Sequence, residues 1–170
     1  MAVLPLRYHP DPVLRRKARR VGIMDRSIQR LIEDMLETMH HAEGVGLAAP
    51  QVGVSLRLAV IQIPEQEPII LINPEVVKVK GEVDVVEGCL SIPGYNAQLK
   101  RSLQVVVKAL NREGKPFRVK GEELLAQVLE HEIDHLNGVL YIDRLESPEM
   151  LKKVEEKVEE EPGGKEADAQ

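Results

Sequence analysis

The segment from residue 56 to about residue 119 constrains the fold most, because it contains successive β-branched runs with no helical pattern between them. These runs cover residues 56–63, 69–72, 76–86, 103–110 and 117–119, and prolines and glycines separate them. Residues 111–114 have the composition of a hairpin connection. Strands that follow one another without crossover helices pair antiparallel, so the sequence predicts an α+β fold with mostly antiparallel sheets.

Three further segments have helical patterns. Apolar residues recur at the spacing of one helical face over residues 28–39, with Asp25 or Ser27 as the cap. A second long helix is predicted from about residue 122 to residue 137. A shorter basic helix is predicted over residues 11–20, which begin with the Asp-Pro pair typical of a helix start.

The length of 170 residues is sufficient for one domain with a substantial core. We assign residues 1–147 to this domain and residues 148–170 to a C-terminal extension. The extension is predicted to begin with a helix over 148–160, because lysine and glutamate recur four residues apart there. Its last residues lack periodicity and have little to bury, which predicts an acidic disordered tail.

The composition argues against several classes of protein. Only 2% of the residues are aromatic and the net charge is −5, so specific nucleic-acid binding by base stacking on a basic surface is not expected. There is no apolar stretch of about 18 residues and no secretory signal pattern, so no membrane partner is expected. Cys89 is the single cysteine, which fits a reducing compartment, and we expect a cytoplasmic protein.

The sequence His-Glu-Ile-Asp-His at 131–135 lies in the second long predicted helix. Residues four apart on a helix lie one above the other, so His131 and His135 can share a metal ion. Glu132 lies beside them, where it can reach a water activated by that metal. The apolar rows of the helix lead into these three residues, which predicts that they are buried and that Asp134 lies on the opposite face. Buried polar groups need partners, which favours a metal site over an incidental histidine pair.

A catalytic site of the zinc type uses three protein ligands and keeps one position open. The candidates for the third ligand outside the helix are His9, His40, His41, Cys89 and Glu146. Gly88 permits close backbone approach and Pro93 is expected to stop a strand, so Cys89 is predicted in an irregular bend that could face a site. A lone cysteine is often only a small buried hydrophobe, but the histidine pair favours a thiolate ligand.

The segment Gly-Val-Gly-Leu-Ala-Ala-Pro-Gln-Val-Gly at 44–53 is crowded with small residues, which let a backbone come close to another molecule. A plain loop between a helix and a strand could have the same composition. Gln51 does not fit this simpler interpretation, because its polar amide stands in a run of small apolar residues. The amide could donate a hydrogen bond to a developing oxyanion.

Taken together and in this order, the three segments resemble the motifs of the peptide deformylases. They stand here as GVGLAAPQ at 44–51, EGCLS at 87–91 and HEIDH at 131–135, and the resemblance covers about residues 3–145. It implies an α+β fold in which antiparallel sheets surround a central helix that carries the HExxH motif. It also implies a metal-dependent hydrolase that removes the formyl group from the N-terminal formylmethionine of newly made proteins and releases formate.

The resemblance further implies a role for individual residues. The implied metal ligands are Cys89, His131 and His135. The implied catalytic groups are Glu132 as general acid and base, and the Gln51 side chain and Leu90 backbone N–H as the oxyanion hole. Residues that would bind an extended peptide through their backbones are Val45, Gly46 and Gly88. Candidates for the pocket around the methionine side chain are Leu90, Leu124, Val128 and the stem of Gln127.

The resemblance implies Fe²⁺ as the metal in the cell, with Zn²⁺ or Ni²⁺ able to occupy the site, since Cys-His-His ligation does not choose between them. The implied partners are N-formylmethionyl peptides and, transiently, the ribosome surface near the nascent-chain exit. Three alternatives stay open. One is a metallopeptidase with Glu146 as third ligand, which leaves residues 44–51 unexplained. The others are a non-catalytic member that binds the ribosome or a peptide without turnover, and a structural metal site, which normally has a fourth protein ligand.

Overall fold

Two α-helices and eight strands form the described part of the computed structural model, which comprises residues 2–154. The helices are α1 (Arg26–His41) and α2 (Glu123–Leu136). The strands are β1 (Gly46–Ala48), β2 (Leu58–Ile61), β3 (Ile69–Lys80), β4 (Val83–Cys89), β5 (Ile92–Arg101), β6 (Gln104–Leu110), β7 (Pro116–Glu122) and β8 (Leu151–Lys153). Four short 3-10 helices lie at Pro12–Arg15, Ala49–Val52, Tyr141–Arg144 and Pro148–Met150. Every strand pair in the two sheets is antiparallel, which confirms the predicted combination of helices and antiparallel sheets.

The larger sheet has the strand order β1-β2-β3-β6-β7 and packs against a helix on each face. Leu58 and Val60 of β2 share a core cluster with the buried residues of α1. Ala59 and Ile61 of the same strand share another cluster with the buried residues of α2. Successive side chains of a strand point to opposite faces, so both rows of β2 are buried, which explains its uninterrupted apolar sequence.

The smaller sheet has the strand order β4-β5-β8. Gly81, at a φ of 71°, makes the turn at which the chain leaves β3 of the larger sheet and enters β4 of the smaller one. Ala97 and Leu99 of β5 pack with Leu14 and Tyr141 in a third core cluster. Residues on the inward row of β5 therefore lie under the 3-10 helices that follow α2 and precede α1.

Both long predicted helices are confirmed, as α1 and α2. The Asp25 side chain caps α1 by accepting a hydrogen bond from the Ile28 backbone N–H at 3.1 Å. The helix predicted over residues 11–20 is wrong after Arg15, where the 3-10 helix ends. The backbone beyond it is extended because it bonds elsewhere: the Ala18 N–H donates to the carbonyl of Leu136 at the end of α2.

The predicted hairpin at 111–114 is confirmed, since β6 and β7 on either side of it pair antiparallel. The predicted run over 76–86 is wrong as a single strand, because the turn at Gly81 divides it between two sheets. The expectation that Pro93 stops a strand is also wrong, since Pro93 lies inside β5. Glu87 pairs with Ala97 and Cys89 pairs with Ile92, so Pro93 falls in an irregular interval where a proline removes no regular pair.

The helix predicted from residue 148 is wrong over the described residues. Pro148–Met150 is a 3-10 helix, and Leu151–Lys153 pairs with Tyr95–Ala97 of β5 as strand β8. The rest of that predicted helix and the predicted tail lie outside the described residues. The division of the chain after residue 147 stays a prediction. No helix among residues 2–154 is long and apolar enough to cross a membrane.

Gly138 ends α2 at a position where no side chain fits. Its φ is 75°, and a Cβ atom there would lie 2.4 Å from the carbonyl oxygen of Arg15. We expect Gly138→Ala to lower the free energy of unfolding. The positive φ alone should cost about 1–3 kcal/mol, and the clash with Arg15 should add to this cost. Urea unfolding of the two proteins measures this difference.

Gly22→Ala is the matched control, because a Cβ atom at Gly22 would meet nothing within 4 Å. That variant should unfold within about 1 kcal/mol of the parent protein. Equal stability of the two variants would contradict the role given to Gly138.

Candidate metal centre

Two neighbouring elements bring the predicted ligands together. His131 and His135 lie one turn apart in α2, and their Nε2 atoms are 3.1 Å apart. Cys89 is the last residue of β4, and its Sγ atom is 3.3 Å from Nε2 of His135. One ligand atom of each residue lies within 4.8 Å of the others. Ligand atoms that share a tetrahedral ion lie roughly 3.3–3.6 Å apart, so these three atoms are spaced for one shared ion.

The other candidates for the third ligand lie elsewhere. Within residues 2–154, Cys89, His131 and His135 form the only cluster of histidine, cysteine and acidic side chains with metal-binding spacing. Glu146 lines a separate cavity together with Arg144 and Lys100. The metallopeptidase alternative, which needs Glu146 at the metal, therefore has no support in the geometry.

Glu87 fixes the orientation of His131. Nδ1 of His131 donates a hydrogen bond of 2.6 Å to the Glu87 carboxylate, which leaves Nε2 as the metal-binding nitrogen. Arg101 binds the same carboxylate through Nε at 3.0 Å and Nη2 at 2.6 Å. Burial alone would raise the pKa of Glu87, but the bonds from His131 and Arg101 outweigh it and lower the pKa to about 2. The carboxylate is therefore ionised whenever the protein is folded near neutral pH.

The two imidazoles differ in their affinity for a proton. Burial lowers the pKa of both, but for His131 the hydrogen bonds to Cys89 and Glu87 outweigh burial and raise the pKa well above its usual value. For His135, burial and the charge of His131 act together and lower the pKa well below the usual value. A metal binds unprotonated nitrogen and thiolate, so its binding at these residues should release protons.

Glu132 is a buried carboxyl group beside the three predicted ligands. Burial raises its pKa to about 7, with His131 opposing the shift and the charges of Glu87 and Asp134 adding to it. Its Oε1 atom is 3.9 Å from Nε2 of His131, and no described residue forms a hydrogen bond with its Oε2 atom. A carboxyl group that titrates near neutral pH and has an unpaired oxygen is suited to accept and return a proton.

Gln51 is held in one orientation by bonds at both ends of its buried amide. Its Oε1 atom accepts from the Ala48 backbone N–H at 3.0 Å. Its Nε2 atom donates to Ser91 Oγ at 3.1 Å and lies 3.6 Å from Cys89 Sγ. Because the oxygen is already bonded to the backbone, the amide presents its N–H groups toward the ligand cluster.

A cavity of about 380 Å³ opens onto these residues, which is within the usual range for small-molecule sites. Eleven of the predicted site residues line it: Val45, Gly46, Gln51, Gly88, Cys89, Leu90, Leu124, Gln127, Val128, His131 and Glu132. His135 is not in the lining and is almost completely buried. Leu124 is 44% exposed, so it contributes to the mouth of the cavity and not to the buried face of α2.

The sequence interpretation missed the charged groups behind the ligands. Asp134, which was predicted on the face of α2 opposite the site, is buried and bonds to Arg101 and Arg144. Arg101 was missed because its strand was not predicted. The inward row of β5 is Ala97, Leu99 and Arg101, so an arginine at the end of an apolar alternation was the available sign of a buried ion pair.

We expect Glu87→Gln to weaken metal binding about 10–100-fold, because His131, a predicted ligand, would lose its anionic partner. Competition with a chelator, measured with added Zn²⁺ under anaerobic conditions, gives the affinity. Asp84→Asn is the matched control, since Asp84 lies on the same strand but is exposed and pairs with Lys100 at 3.2 Å. Equal affinities in the two variants would show that Glu87 does not support the ligand.

A comparison with known families identifies the sequence pattern. The model of the family described as Polypeptide deformylase matches residues 3–151. A peptide deformylase of Dehalococcoides mccartyi (strain CBDB1) is 55% identical over 155 residues, which cover 91% of this chain and 93% of the relative. A peptide deformylase of Thermodesulfovibrio yellowstonii is 47% identical over 149 residues, which cover 85% of this chain and 90% of the relative.

Solved structures show the same likeness in three dimensions. A crystal structure of a peptide deformylase from Legionella pneumophila superposes with a TM-score of 0.85 at 52% identity, covering 88% of this chain and 89% of the other. The structure of a peptide deformylase from Synechococcus elongatus in complex with actinonin superposes with a TM-score of 0.82 at 45% identity. That match covers 85% of this chain and 79% of the other.

Proposed function

The chain belongs to the polypeptide deformylase family, and we propose on this basis that its cavity is where the formyl group of N-terminal formylmethionine is hydrolysed to formate. The protein is a hydrolase that acts in the N-terminal processing of newly made proteins. The single observation that carries the assignment of the site is that Cys89, His131 and His135 converge directly beside a cavity, which Cys89, His131 and Glu132 line.

We propose that Cys89, His131 and His135 hold one divalent metal ion. The donor set fits, because two Nε2 atoms and one Sγ atom converge while Nδ1 of His131 is bonded to Glu87. When bound, the metal would lower the pKa of a coordinated water and polarise the formyl carbonyl group. The family suggests Fe²⁺ in the cell, with Zn²⁺ or Ni²⁺ as possible replacements.

Glu132 is proposed to move the proton of the reaction. In its ionised form it would take a proton from the attacking water, and it would then give that proton to the departing amine. Its position supports this role, because the carboxyl group lines the cavity beside His131 and has a pKa of about 7. Its Oε2 atom has no hydrogen-bond partner among the described residues, so it is available to a reacting molecule.

Gln51 and Leu90 are proposed to stabilise the oxyanion. The Gln51 amide is oriented with its N–H groups toward Cys89, and Leu90 follows Cys89 directly in the lining of the cavity. Donors that are already in place cost no reorganisation when charge develops, and losing one of them typically lowers turnover about 10²–10³-fold.

The walls of the cavity are proposed to bind the peptide in an extended form. Gly46 is the first residue of β1, Val45 directly precedes it, and Gly88 lies in β4, so backbone groups at two strands line the cavity. A Cβ atom at Gly46 would lie 2.9 Å from Val128 Cγ1 and 3.0 Å from Glu132 Oε1, so only glycine leaves room at this position. Beyond it, Leu90, Leu124, Val128 and the stem of Gln127 are proposed to hold the methionine side chain.

The cellular setting is proposed from the substrate. Formylated N-termini arise at the ribosome, so we propose that the enzyme works in the cytoplasm and contacts the ribosome surface transiently near the nascent-chain exit. The single thiol at Cys89 supports a reducing compartment. We also propose that α2 is the central helix around which the two sheets are arranged. It shares a core cluster with β2 and β6 of the larger sheet, and its Asp134 pairs with Arg101 of β5 in the smaller sheet.

Release of formate from a formyl-Met peptide tests the proposed function most directly. Protein prepared anaerobically with Fe²⁺ should release formate in proportion to its bound metal, measured on the same sample. An acetyl-Met peptide of the same sequence is the control and should not be cleaved, because a tight site that accepts a formyl carbon excludes a methyl group. Fully metal-loaded protein that releases no formate would overturn the proposal and favour a non-catalytic peptide-binding role.

A further inference from the structure

A row of charged side chains connects the surface of the protein with His131. Arg144 bonds to Asp134, Asp134 bonds to Arg101, and Arg101 bonds to Glu87, which accepts the hydrogen bond of His131. We call these four residues, Arg144, Asp134, Arg101 and Glu87, the ion-pair row. Its charges alternate from the half-exposed Arg144 to the buried Glu87, so each member is bonded to a partner of opposite charge.

The distances along the row are those of strong, directional bonds. Arg144 holds both oxygens of Asp134, through Nε and Nη2, each at 2.6 Å. Arg101 Nη1 binds Asp134 Oδ2 at 2.8 Å, and its Nε and Nη2 bind the two oxygens of Glu87. A planar guanidinium group that grips both oxygens of a carboxylate fixes the plane of that carboxylate as well as its position.

Arg144 decides how Asp134 faces the rest of the row. With Arg144 in place, the Asp134 carboxylate cannot rotate without breaking one of two short bonds, so Oδ2 stays directed at Arg101. Without Arg144, Asp134 would keep a single partner and could turn toward solvent. Arg101 would then lose its fixed position between two carboxylates, and the Glu87 carboxylate that orients His131 would be held less firmly.

We propose that Arg144 is a positioning residue for the metal site, acting through Asp134, Arg101 and Glu87 on the orientation of the His131 imidazole. The proposal depends on the proposed function in one respect, since it requires that His131 is a metal ligand. The proposal adds no metal ligand to the cavity. It makes Arg144, whose side chain is 46% exposed and does not line the site cavity, part of the set of residues that orient His131.

A simpler role for Arg144 makes a different prediction. The Arg144–Asp134 pair also ties the 3-10 helix Tyr141–Arg144 to α2, and an effect on stability alone would follow from that contact. The neighbouring pair Arg15–Asp143 ties the same 3-10 helix to the segment before α1, with side chains that are 42% and 37% exposed. Arg15→Gln is therefore a matched control that loosens the same 3-10 helix without touching the ion-pair row.

The test compares Arg144→Gln, Arg144→Lys and Arg15→Gln after loading with Co²⁺ under anaerobic conditions. We measure the rate of Co²⁺ loss to excess chelator, the ligand-field absorption spectrum and the urea unfolding curve. Arg144→Gln should lose the metal up to about 10-fold faster and show a changed spectrum, as outer partners of ligands do. Arg144→Lys keeps the positive charge but not the bidentate contact with Asp134, so its rate of Co²⁺ loss should be intermediate. Arg15→Gln should match the parent protein in rate and spectrum.

A double variant tests the route. Combined with Glu87→Gln, which interrupts the row before His131, Arg144→Gln should accelerate metal loss less than 2-fold further. A full effect of Arg144→Gln in that background, an unchanged rate in the single variant, or the same acceleration by Arg15→Gln would each overturn the proposal. If Arg144→Gln is recovered unfolded, the rate of metal loss from Arg144→Lys takes its place in these comparisons, and an unchanged rate in that variant overturns the proposal.

The failure of the proposed function would look different. A parent protein that binds stoichiometric Co²⁺ but releases no formate would lack the proposed reaction and could still show the effect of Arg144 on metal loss. A parent protein that binds no stoichiometric Co²⁺ would overturn the proposal for Arg144 as well, since His131 would then not be a metal ligand.

Discussion

Replacing Glu132 by glutamine is expected to lower formate release about 10²–10⁴-fold per bound metal, which is the usual contribution of a general acid and base. Glutamine has nearly the same shape but cannot take up a proton from water. The metal should stay bound, because the three proposed ligands are Cys89, His131 and His135. Turnover and metal content, measured on the same anaerobic preparation, separate the loss of proton transfer from the loss of the metal.

Glu130→Gln is the control for this experiment. Glu130 lies two residues earlier in α2 and its carboxylate accepts bonds from the Ser102 backbone N–H at 2.7 Å and the Ser102 hydroxyl at 3.1 Å, away from the cavity lining. That variant should keep turnover within a few-fold of the parent. Full activity of Glu132→Gln would remove Glu132 from the mechanism and, with it, the assignment of the cavity as the reaction site.

Replacing Cys89 by serine is expected to weaken metal binding by more than the roughly 10–100-fold typical of losing an outer partner. A thiolate is a strong ligand near neutral pH, whereas a serine hydroxyl stays protonated and binds weakly. The measurement is chelator competition with added Zn²⁺, followed by total metal after gel filtration. Formate release should fall in parallel with the metal content.

Ser91→Ala is the matched control, since Ser91 is a buried residue two positions away whose hydroxyl bonds to Gln51 and not to His131 or His135. It should keep stoichiometric metal, even if turnover changes through Gln51. Stoichiometric metal in Cys89→Ser, with an unchanged competition constant, would mean that the thiol is not a ligand. The open question would then be which other group completes the site with His131 and His135.

The sequence predicted the elements that have a strong local period. The apolar spacing over residues 28–39 predicted α1, and the pattern leading to His131 and His135 predicted α2 and the common direction of both imidazoles. Strand β5 was missed because Pro93 and Gly94 interrupt its pattern, although they fall where β5 has no regular partner in β4. A local rule about proline could not anticipate this irregular interval, which depends on the pairing of two strands.

In the C-terminal segment a local pattern predicted an element that the structure does not contain. Lysine and glutamate spaced four apart favoured a helix from residue 148, yet Leu151–Lys153 pairs with β5 as β8. Leu151 packs against the core cluster that contains Leu14 and Tyr141. Burial of this side chain and the backbone bonds to β5 outweigh weak helical pairs, each of which contributes only about 0.2–0.5 kcal/mol.

The sequence by itself predicted the common direction of His131 and His135 and singled out the amide of Gln51, because both depend on residue type and local spacing. Cys89 was chosen partly as the single thiol and mainly through the resemblance of residues 87–91 to the family motif. Only the tertiary structure determined how these groups are supported. Glu87, Arg101 and Asp134 come from three different elements, β4, β5 and α2, and their bonds join residues 14 and 33 positions apart, so they follow no local period. The sequence predicted Asp134 on the face of α2 opposite the site. In the structure this face packs against the smaller sheet, where Asp134 pairs with Arg101. A buried charge requires a partner of opposite sign, and only the tertiary structure supplies it.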